Sequence, residues 1–280
     1  MLISALDRRR LGVPTDRAVL RFNDFERLDE VARTNSHELL LEGKAAFELS
    51  FWCGTCPFLF RRKWGSYKTL SDDVATLAEL EQPISEVDDK VFDTFGQLIA
   101  EGEYLPLLLE VRPTLVTPGD ERDYFAHEQV ATWGLDPFWL LPQNPQSFYY
   151  RTFETKVDDD AHLYEFVVPM VPPALNERDR VQHYVELMRD GITPTAVALS
   201  NLEVRAPATS WPDDDSYWHW CLTHFLLDGH HKLEAAATTG EPVQILALVS
   251  VADSRGEARR DLDRLPELLT RRQVARRPGE

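Results

Sequence analysis

The spacing of apolar positions changes along the chain, and each spacing predicts a different kind of element. Residues 1–44 follow mostly helical intervals, and we predict that this segment is mainly helical. The apolar residues that share this spacing are Phe25, Leu28, Val31 and Ala32. We expect the lone histidine of the segment, His37, to lie on the surface.

Three further patterns follow in the N-terminal half. Strict alternation of apolar and polar residues predicts a strand over residues 47–51. A helical spacing then predicts a helix with one apolar face, formed by Val87, Val91, Phe92, Phe95 and Ile99. Residues 105–116 are apolar and rich in β-formers, but Pro106 and Pro113 interrupt them. Because proline cannot donate a ladder hydrogen bond, we predict an edge strand or a connection here.

From about residue 163, strands and helices alternate in a clear order. The predicted strands cover residues 164–170, 196–199, 202–204, 219–227 and 243–251. The predicted helices cover residues 177–189, 233–239 and a charged stretch that ends at 268. We expect the basic end, residues 271–277, to be a frayed tail.

The Pro- and amide-rich segment 141–146 is the predicted domain boundary. The chain then divides into a mixed α/β domain over residues 1–145, a second domain over 146–255 and a charged helical tail over 256–280. With strands and helices in both domains, the predicted fold class is α+β.

Composition narrows the classes of function. The chain has 280 residues, of which 43% are hydrophobic, so a sizeable core can form. The formal net charge of −17 argues against non-specific nucleic-acid binding, which depends on Lys and Arg. No apolar run approaches the ~20 residues of a membrane span, and the N-terminus does not have the charge order of a secretory signal. We therefore expect a cytoplasmic protein.

A C-x-x-C motif, Cys53 and Cys56, follows the alternating run at residues 47–51. Three interpretations stay open, in this order of preference. The cysteines are buried thiols among aromatic residues, or half of a zinc site, or a redox pair. The residues Trp52-Cys53-Gly54-Thr55-Cys56 resemble the W-C-G-x-C motif of thioredoxin-like proteins, which implies the redox role. The further zinc ligands would come from His219, Cys221 and His224.

The turn Asp228-Gly229-His230-His231-Lys232 lies between a predicted buried strand and a predicted helix. Glycine favours a sharp turn, and the start of a helix presents free N–H groups and a positive dipole end to an anion. The Asp228 carboxylate is a candidate metal ligand or base. The alternative is an ordinary helix start that Asp228 caps, with two surface histidines beside it.

The order of these elements resembles the ParB/sulfiredoxin-type domain over residues 168–251, under a third of the chain. The matching segments are Val168-Pro169, Tyr184 to Gly191, Pro194 to Leu199, Leu226 to Lys232 and Gly240-Glu241-Pro242-Val243. In this family the turn into the helix binds nucleotide phosphates. Sulfiredoxins carry Gly-Cys-His-Arg at the turn, and the partitioning members carry Gly-Glu-Arg-Arg before a helix-turn-helix domain. Free-serine kinases carry Asp-Gly-His-His-Arg, and the turn here differs from it only by Lys232.

The resemblance implies a nucleotide site, with ATP or ADP and Mg²⁺ as cofactors and a small hydroxyl-bearing molecule as substrate. The implied phosphate-binding residues are Gly229, His230, His231, Lys232, Arg178 and Arg180. The implied catalytic residues are Asp228, His231 and Glu177, with Asp228 also a candidate Mg²⁺ ligand. Three functions remain open: a phosphotransferase, a non-catalytic nucleotide-binding regulator, or a redox or zinc protein centred on Cys53 and Cys56. No nucleic-acid or membrane partner is expected.

Overall fold

The computed structural model describes most of the chain: residues 1–28, 33–49, 60–63, 70, 77–123, 125–126, 147–205, 218–254 and 262–273. The motif of Cys53 and Cys56 lies outside the described residues, and its predicted roles are therefore not addressed by the structure. Among the described residues, no helix is both long enough and apolar enough to span a bilayer.

Two β-sheets organise the described part of the chain. The strands of the larger sheet are β1 (Leu2–Ala5), β2 (Arg9–Leu11), β7 (Gly102–Val111), β8 (Thr114–Val116), β9 (Tyr149–Asp158), β10 (Ala161–Val168), β11 (Thr195–Arg205), β12 (Trp218–Asp228) and β13 (Val243–Ser250). Those of the smaller sheet are β3 (Leu20–Leu28), β4 (Arg33–Leu41), β5 (Lys44–Leu49) and β6 (Phe60–Arg62). The α-helices are α1 (Asp89–Gly96), α2 (Arg178–Arg189), α3 (His230–Thr239) and α4 (Leu265–Leu268). Short 3₁₀ turns cover Ala78–Glu81, Pro173–Leu175 and Leu262–Arg264.

The larger sheet is mixed, with the strand order β1-β7-β13-β11-β12-β10-β9-β8 and with β2 also paired to β7. β10 is parallel to β12 and β11 is parallel to β13, whereas the other pairs are antiparallel. Helices together with a large mixed sheet agree with the predicted α+β class. The sheet takes strands from both sides of the predicted boundary at 145/146, so that boundary does not divide it.

Both faces of the larger sheet are covered. On β12, Leu222 and Leu226 face the layer that contains α2 and α3, because side chains alternate along a strand. Phe225 and Leu227 face the smaller sheet and α1. Burial on both faces explains why all eight residues of β13 are buried and why six of them are apolar.

The mainly helical prediction for residues 1–44 is wrong, because this segment forms strands β1 to β4. β3 pairs antiparallel with β4, and Leu20 lies opposite Leu41 in the register. Phe25 and Leu28, which share the helical spacing, belong to β3, and Val31 and Ala32 lie outside the described residues. His37 is also not a surface residue, since it is 1% exposed and its Nδ1 lies 3.0 Å from Glu203 Oε1.

The edge-strand prediction is wrong for residues 105–111, because β7 lies between β1 and β13, whereas residues 112–113 form a connection and residues 114–116 form β8 at the end of the strand order. Along one edge of β7, β2 pairs with the beginning of the strand and β1 pairs with its end. Pro106 lies between these two paired segments. The Pro106 carbonyl accepts a hydrogen bond from Leu6 N at 3.0 Å. The nitrogen of Pro106 faces the same side as its carbonyl, where neither β1 nor β2 pairs with it. The proline therefore removes no ladder hydrogen bond, and the interior strand tolerates this residue.

The order of elements predicted between residues 163 and 251 is confirmed, except that residues 195–205 form one continuous strand. The predicted charged helix that ends at 268 lies partly outside the described residues, and its described part is a 3₁₀ turn followed by α4. Residues 271–273 are not frayed, because several hydrogen bonds attach them to β9. Arg271 Nη1 donates to the carbonyls of Lys156 and Val157 at 3.1 and 3.0 Å. Gln273 Nε2 donates to the Thr152 carbonyl at 2.7 Å.

Candidate functional site

The turn between β12 and α3 depends on a glycine. Gly229 has φ of +108° and is the residue before the first helical position of α3. A Cβ at this position would lie 2.5 Å from Ala196 Cβ, so β11 passes directly against the turn. Asp228 is not the cap of α3, because Gly229 holds that position and α3 has no side-chain cap.

His230 is buried and accepts a hydrogen bond. Its Nε2 lies 3.0 Å from Met170 N, in the loop after β10. Since the backbone N–H can only donate, Nε2 is unprotonated and Nδ1 carries the proton. Burial lowers the pKa of His230 to about 4, although the Asp228 carboxylate opposes this shift. His230 is therefore neutral at physiological pH and holds the loop to the start of α3.

His231 joins the starts of the two neighbouring helices. Its Nε2 accepts a hydrogen bond from the backbone N–H of Glu177, which precedes α2, at 3.2 Å. Burial, followed by the positive charge of Arg180, lowers the pKa of this histidine. The first turns of α2 and α3 are consequently adjacent, as the predicted phosphate site requires.

Arg178 connects the same two helices from the outside. Its two Nη atoms lie 2.6 and 2.9 Å from the carboxylate oxygens of Glu234 on α3. Nε and Nη2 also donate to the carbonyl of Asn176. The hydrogen bond to Glu234 raises the pKa of the Arg178 guanidinium. Arg178 therefore positions α2 against α3, although it was predicted to bind phosphate.

Asp228 and Lys232 bind each other. Lys232 Nζ lies 2.6 Å from Asp228 Oδ2 and donates to the Thr195 carbonyl at 2.8 Å. Burial disfavours the ionised carboxylate, but the charge and hydrogen bond of Lys232 outweigh it and the pKa of Asp228 is lowered. The lysine is 4% exposed and points back towards β11. It therefore does not extend to a phosphate in this arrangement.

The backbone donors at the two helix starts have no acceptors in the described part of the chain. The first intrahelical bonds are Leu233 N to the Gly229 carbonyl in α3 and Val181 N to the Glu177 carbonyl in α2. The N–H groups of residues 230–232 and 178–180 come before these bonds and are not paired with any described residue. Two sets of N–H donors, each at a positive dipole end, thus lie side by side.

Arg62 of β6 supports this site, and sequence reasoning did not identify it. Its guanidinium donates to the carbonyls of Pro169 and Met170, the loop that His230 also holds. The guanidinium lies 4.4 Å from the centroid of the Phe47 ring. Arg62 is separated from the loop by more than one hundred residues in sequence, so only the packing of the smaller sheet on the larger one reveals this role.

A second polar group is buried across four strands of the larger sheet. Ser200 Oγ lies 2.7 Å from His224 Nδ1, and His224 Nε2 lies 3.3 Å from Glu165 Oε1. The Thr152 hydroxyl donates to the same carboxylate. The Ser-His-Glu order is that of a nucleophilic triad, but Ser200 and His224 are both 0% exposed, so no substrate reaches the hydroxyl. We interpret the group as a device that fixes strand register.

The predicted further zinc ligands do not come together. His219 and Cys221 lie on one face of β12, and His224 lies on the opposite face. Among the described residues, no group of three or more His, Cys, Asp or Glu side chains is placed to hold a metal ion.

Comparison of the chain with protein-family models, curated proteins and solved structures finds no match. The ParB/sulfiredoxin-type resemblance therefore stays a prediction.

Proposed function

We propose that the adjacent starts of α2 and α3 bind the phosphate groups of a nucleotide, in a ParB/sulfiredoxin-like protein. The observation that carries the proposal is the bond from Glu177 N to His231, which places two sets of free backbone N–H donors together. Backbone donors at helix starts bind phosphate oxygens without a cationic side chain. The site thus does not require Lys232, which is bound elsewhere.

Two arginine charges act at the helix starts, opposed by the carboxylates of Glu177 and Asp179. Besides burial, Arg180 in the first turn of α2 and Arg62 beside the loop contribute to lowering the pKa of His231 and His230 respectively. These two guanidinium groups attract phosphate. With both histidines neutral, phosphate affinity would come from the N–H groups and from Arg180.

Binding without turnover is the form of this function that the geometry supports best. Asp228 was predicted as a Mg²⁺ ligand or base, but the Lys232 ammonium already compensates its charge. A lone carboxylate with an ammonium at 2.6 Å does not fit a Mg²⁺ site, which needs oxygen ligands in an octahedral arrangement. In this proposal Mg²⁺ arrives on the phosphates of the nucleotide.

Phosphoryl transfer to a small hydroxyl-bearing molecule is the second candidate. Glu177 favours this reaction, because its side chain is exposed and does not cap α2. Its charge also acts on His231, so its carboxylate is near the helix starts. In this reaction a substrate hydroxyl loses its proton to the Glu177 carboxylate while its oxygen bonds to the terminal phosphorus and the bond to the nucleoside diphosphate breaks. The redox or zinc alternative rests on Cys53 and Cys56, outside the described residues, and remains a separate prediction.

Calorimetric titration with ATP, ADP and CTP, each with and without Mg²⁺, tests the binding proposal. Arg180→Glu places a negative charge in the first turn of α2 and is expected to weaken nucleotide binding at least tenfold, by about 1.4 kcal/mol or more. Arg189→Glu, in the exposed last turn of the same helix, is the matched control and should bind like the wild type. If no nucleotide binds, or if both variants lose affinity equally, the proposal fails.

Turnover separates the two candidates. The wild type and Glu177→Gln are incubated with ATP, Mg²⁺ and a panel of hydroxyl-bearing metabolites, and ADP formation is measured. Loss of ADP formation in Glu177→Gln with unchanged ATP binding would support transfer. ATP binding without ADP formation in the wild type would assign the protein to the non-catalytic class.

A further inference from the structure

A cleft at the opposite end of α3 is independent of the nucleotide site. It has a volume of about 530 Å³, within the range of small-molecule sites. Its walls come from the end of β7, from β8 and β9, and from the segment after α4. The Gly240 carbonyl beyond α3 accepts a hydrogen bond from Arg112, one of the lining residues. A helix of ten residues is ~15 Å long, so the two sites are well separated.

The charges that face this cleft are mostly positive. Arg151 and Glu154 belong to its walls, but their side chains point away, because Arg151 contacts Asp123 and Glu154 contacts His162 on the other face of β9. Three arginines and one glutamate remain among the described lining side chains: Arg112, Arg271, Arg272 and Glu110. In a chain with a formal net charge of −17, a local positive excess is the feature to explain.

Arg272 has the guanidinium best placed for a ligand. Its backbone is fixed, because its carbonyl accepts a hydrogen bond from the Thr155 hydroxyl at 3.1 Å. Its side chain is exposed and makes no hydrogen bond or ion pair with the described residues. Arg271 is anchored by Glu267 at 2.9 Å and by backbone carbonyls, and Arg112 Nη1 lies 3.8 Å from Glu241 Oε2, so the charges of these two arginines are partly compensated.

The neutral lining of the cleft includes polar groups, and most of their donors are already bound: the Thr270 hydroxyl donates to the Glu267 carbonyl and the Gln273 amide to the Thr152 carbonyl. Thr114, Thr152, Thr270 and Gln273 all contribute to the walls of the cleft. The hydroxyl of Thr152 is engaged by the Glu165 carboxylate. The hydroxyl of Thr114 lies on β8, which backbone pairing holds to β9. The side-chain amide of Gln273 is held by its hydrogen bond to the Thr152 carbonyl. Rigid walls and a planar guanidinium suit carboxylate or phosphate groups, which accept paired N–H bonds.

We propose that this cleft binds a small, multiply charged oxyanion, with Arg272 as the principal contact and with Arg112 and Arg271 as supporting charges. The shared chemistry of the ligand is a compact group of carboxylate or phosphate oxygens. A nucleoside base is not part of the proposal, and the site does not depend on the nucleotide site at the other end of α3.

Titration calorimetry with two probes, citrate and inorganic phosphate, tests this inference at constant ionic strength set by sodium chloride. We expect saturable binding of at least one probe, and the responding probe identifies carboxylate or phosphate as the preferred group. Arg272→Ala should weaken that binding roughly tenfold or more, since a charge-assisted hydrogen bond is lost. Arg10→Ala removes an exposed arginine that pairs with Glu101 outside the cleft and should leave the affinity unchanged.

Two results would overturn the inference. The first is the absence of saturable binding for both probes, or an equal loss in Arg272→Ala and Arg10→Ala, which would indicate a general ionic effect. The second is phosphate binding that Arg180→Glu abolishes and Arg272→Ala does not affect, which would place phosphate at the helix starts. Thermal unfolding of each variant confirms that it is folded before titration.

Discussion

The close approach of β11 to the turn at Gly229 makes a sharp prediction. In Gly229→Ala the new Cβ would lie 2.5 Å from Ala196 Cβ, which is too close for two carbon atoms, and a tight 3.1 Å from its Cα. The backbone at φ of +108° also disfavours a side chain. The matched control is Gly240→Ala at the other end of α3, where φ is +74° and a Cβ meets no atom within 4 Å.

Both substitutions place an alanine at a positive φ, but only Gly229→Ala also brings its Cβ into a steric clash with Ala196. A left-handed conformation costs an L-residue about 1–2 kcal/mol. Overpacking of a tight contact adds about 1–3 kcal/mol. Gly229→Ala should therefore lower the free energy of unfolding by about 2–5 kcal/mol, and Gly240→Ala by only about 1–2 kcal/mol.

Urea denaturation followed by circular dichroism measures this difference. If m is unchanged, the midpoint shifts compare the free energies directly. Equal midpoint shifts for the two variants would refute the close packing of the turn against β11. If Gly229→Ala had the same urea midpoint as the wild type, the positive φ at residue 229 would also be refuted.

Two further predictions concern the buried ionisable groups of the turn. Because the pKa of His230 is about 4 in the folded protein and ~6.5 when unfolded, the unfolded chain binds more protons between these values. Stability should thus fall with falling pH, by about 2 kcal/mol between pH 7.5 and 5, and chemical denaturation should show a weaker pH dependence in His230→Gln. Lys232→Met should destabilise the protein by about 2–4 kcal/mol, because it leaves the partly buried Asp228 carboxylate unpaired. The double variant Asp228→Asn/Lys232→Met should recover part of this loss, and additive losses in the cycle would argue against the ion pair.

Local signals explain how far the sequence predicts this fold. The order of strands and helices after residue 163 could be predicted because buried strands, helix stops and glycines alternate there. Gly191 and Gly240 end their helices at positive φ, as expected. Alternation over residues 47–51 predicted part of β5, but strands β1 to β4 could not be predicted in this way, because their core contacts depend on partners distant in sequence. Leu39 and Phe47 become buried only when the smaller sheet packs on the larger one.

The candidate site shows the same limit. The turn residues were found from their sequence order, but their partners were not. His231 accepts from a residue 54 positions away, and Arg62 binds a loop 107 positions away. Lys232 was assigned to phosphate on its charge alone, whereas its Nζ lies against Asp228 and the Thr195 carbonyl. Charge patterns indicate a kind of chemistry, but burial and orientation decide which groups remain available for a ligand.

Binding of nucleotide phosphates at the starts of α2 and α3 can be observed residue by residue. Amide chemical shifts of ¹⁵N-labelled, deuterated protein are followed during titration with ADP. We expect the largest shifts on the backbone amides of residues 178–180 and 230–232. Larger shifts at residues 270–273 of the cleft, or no shifts at all with saturating ADP, would contradict this proposal.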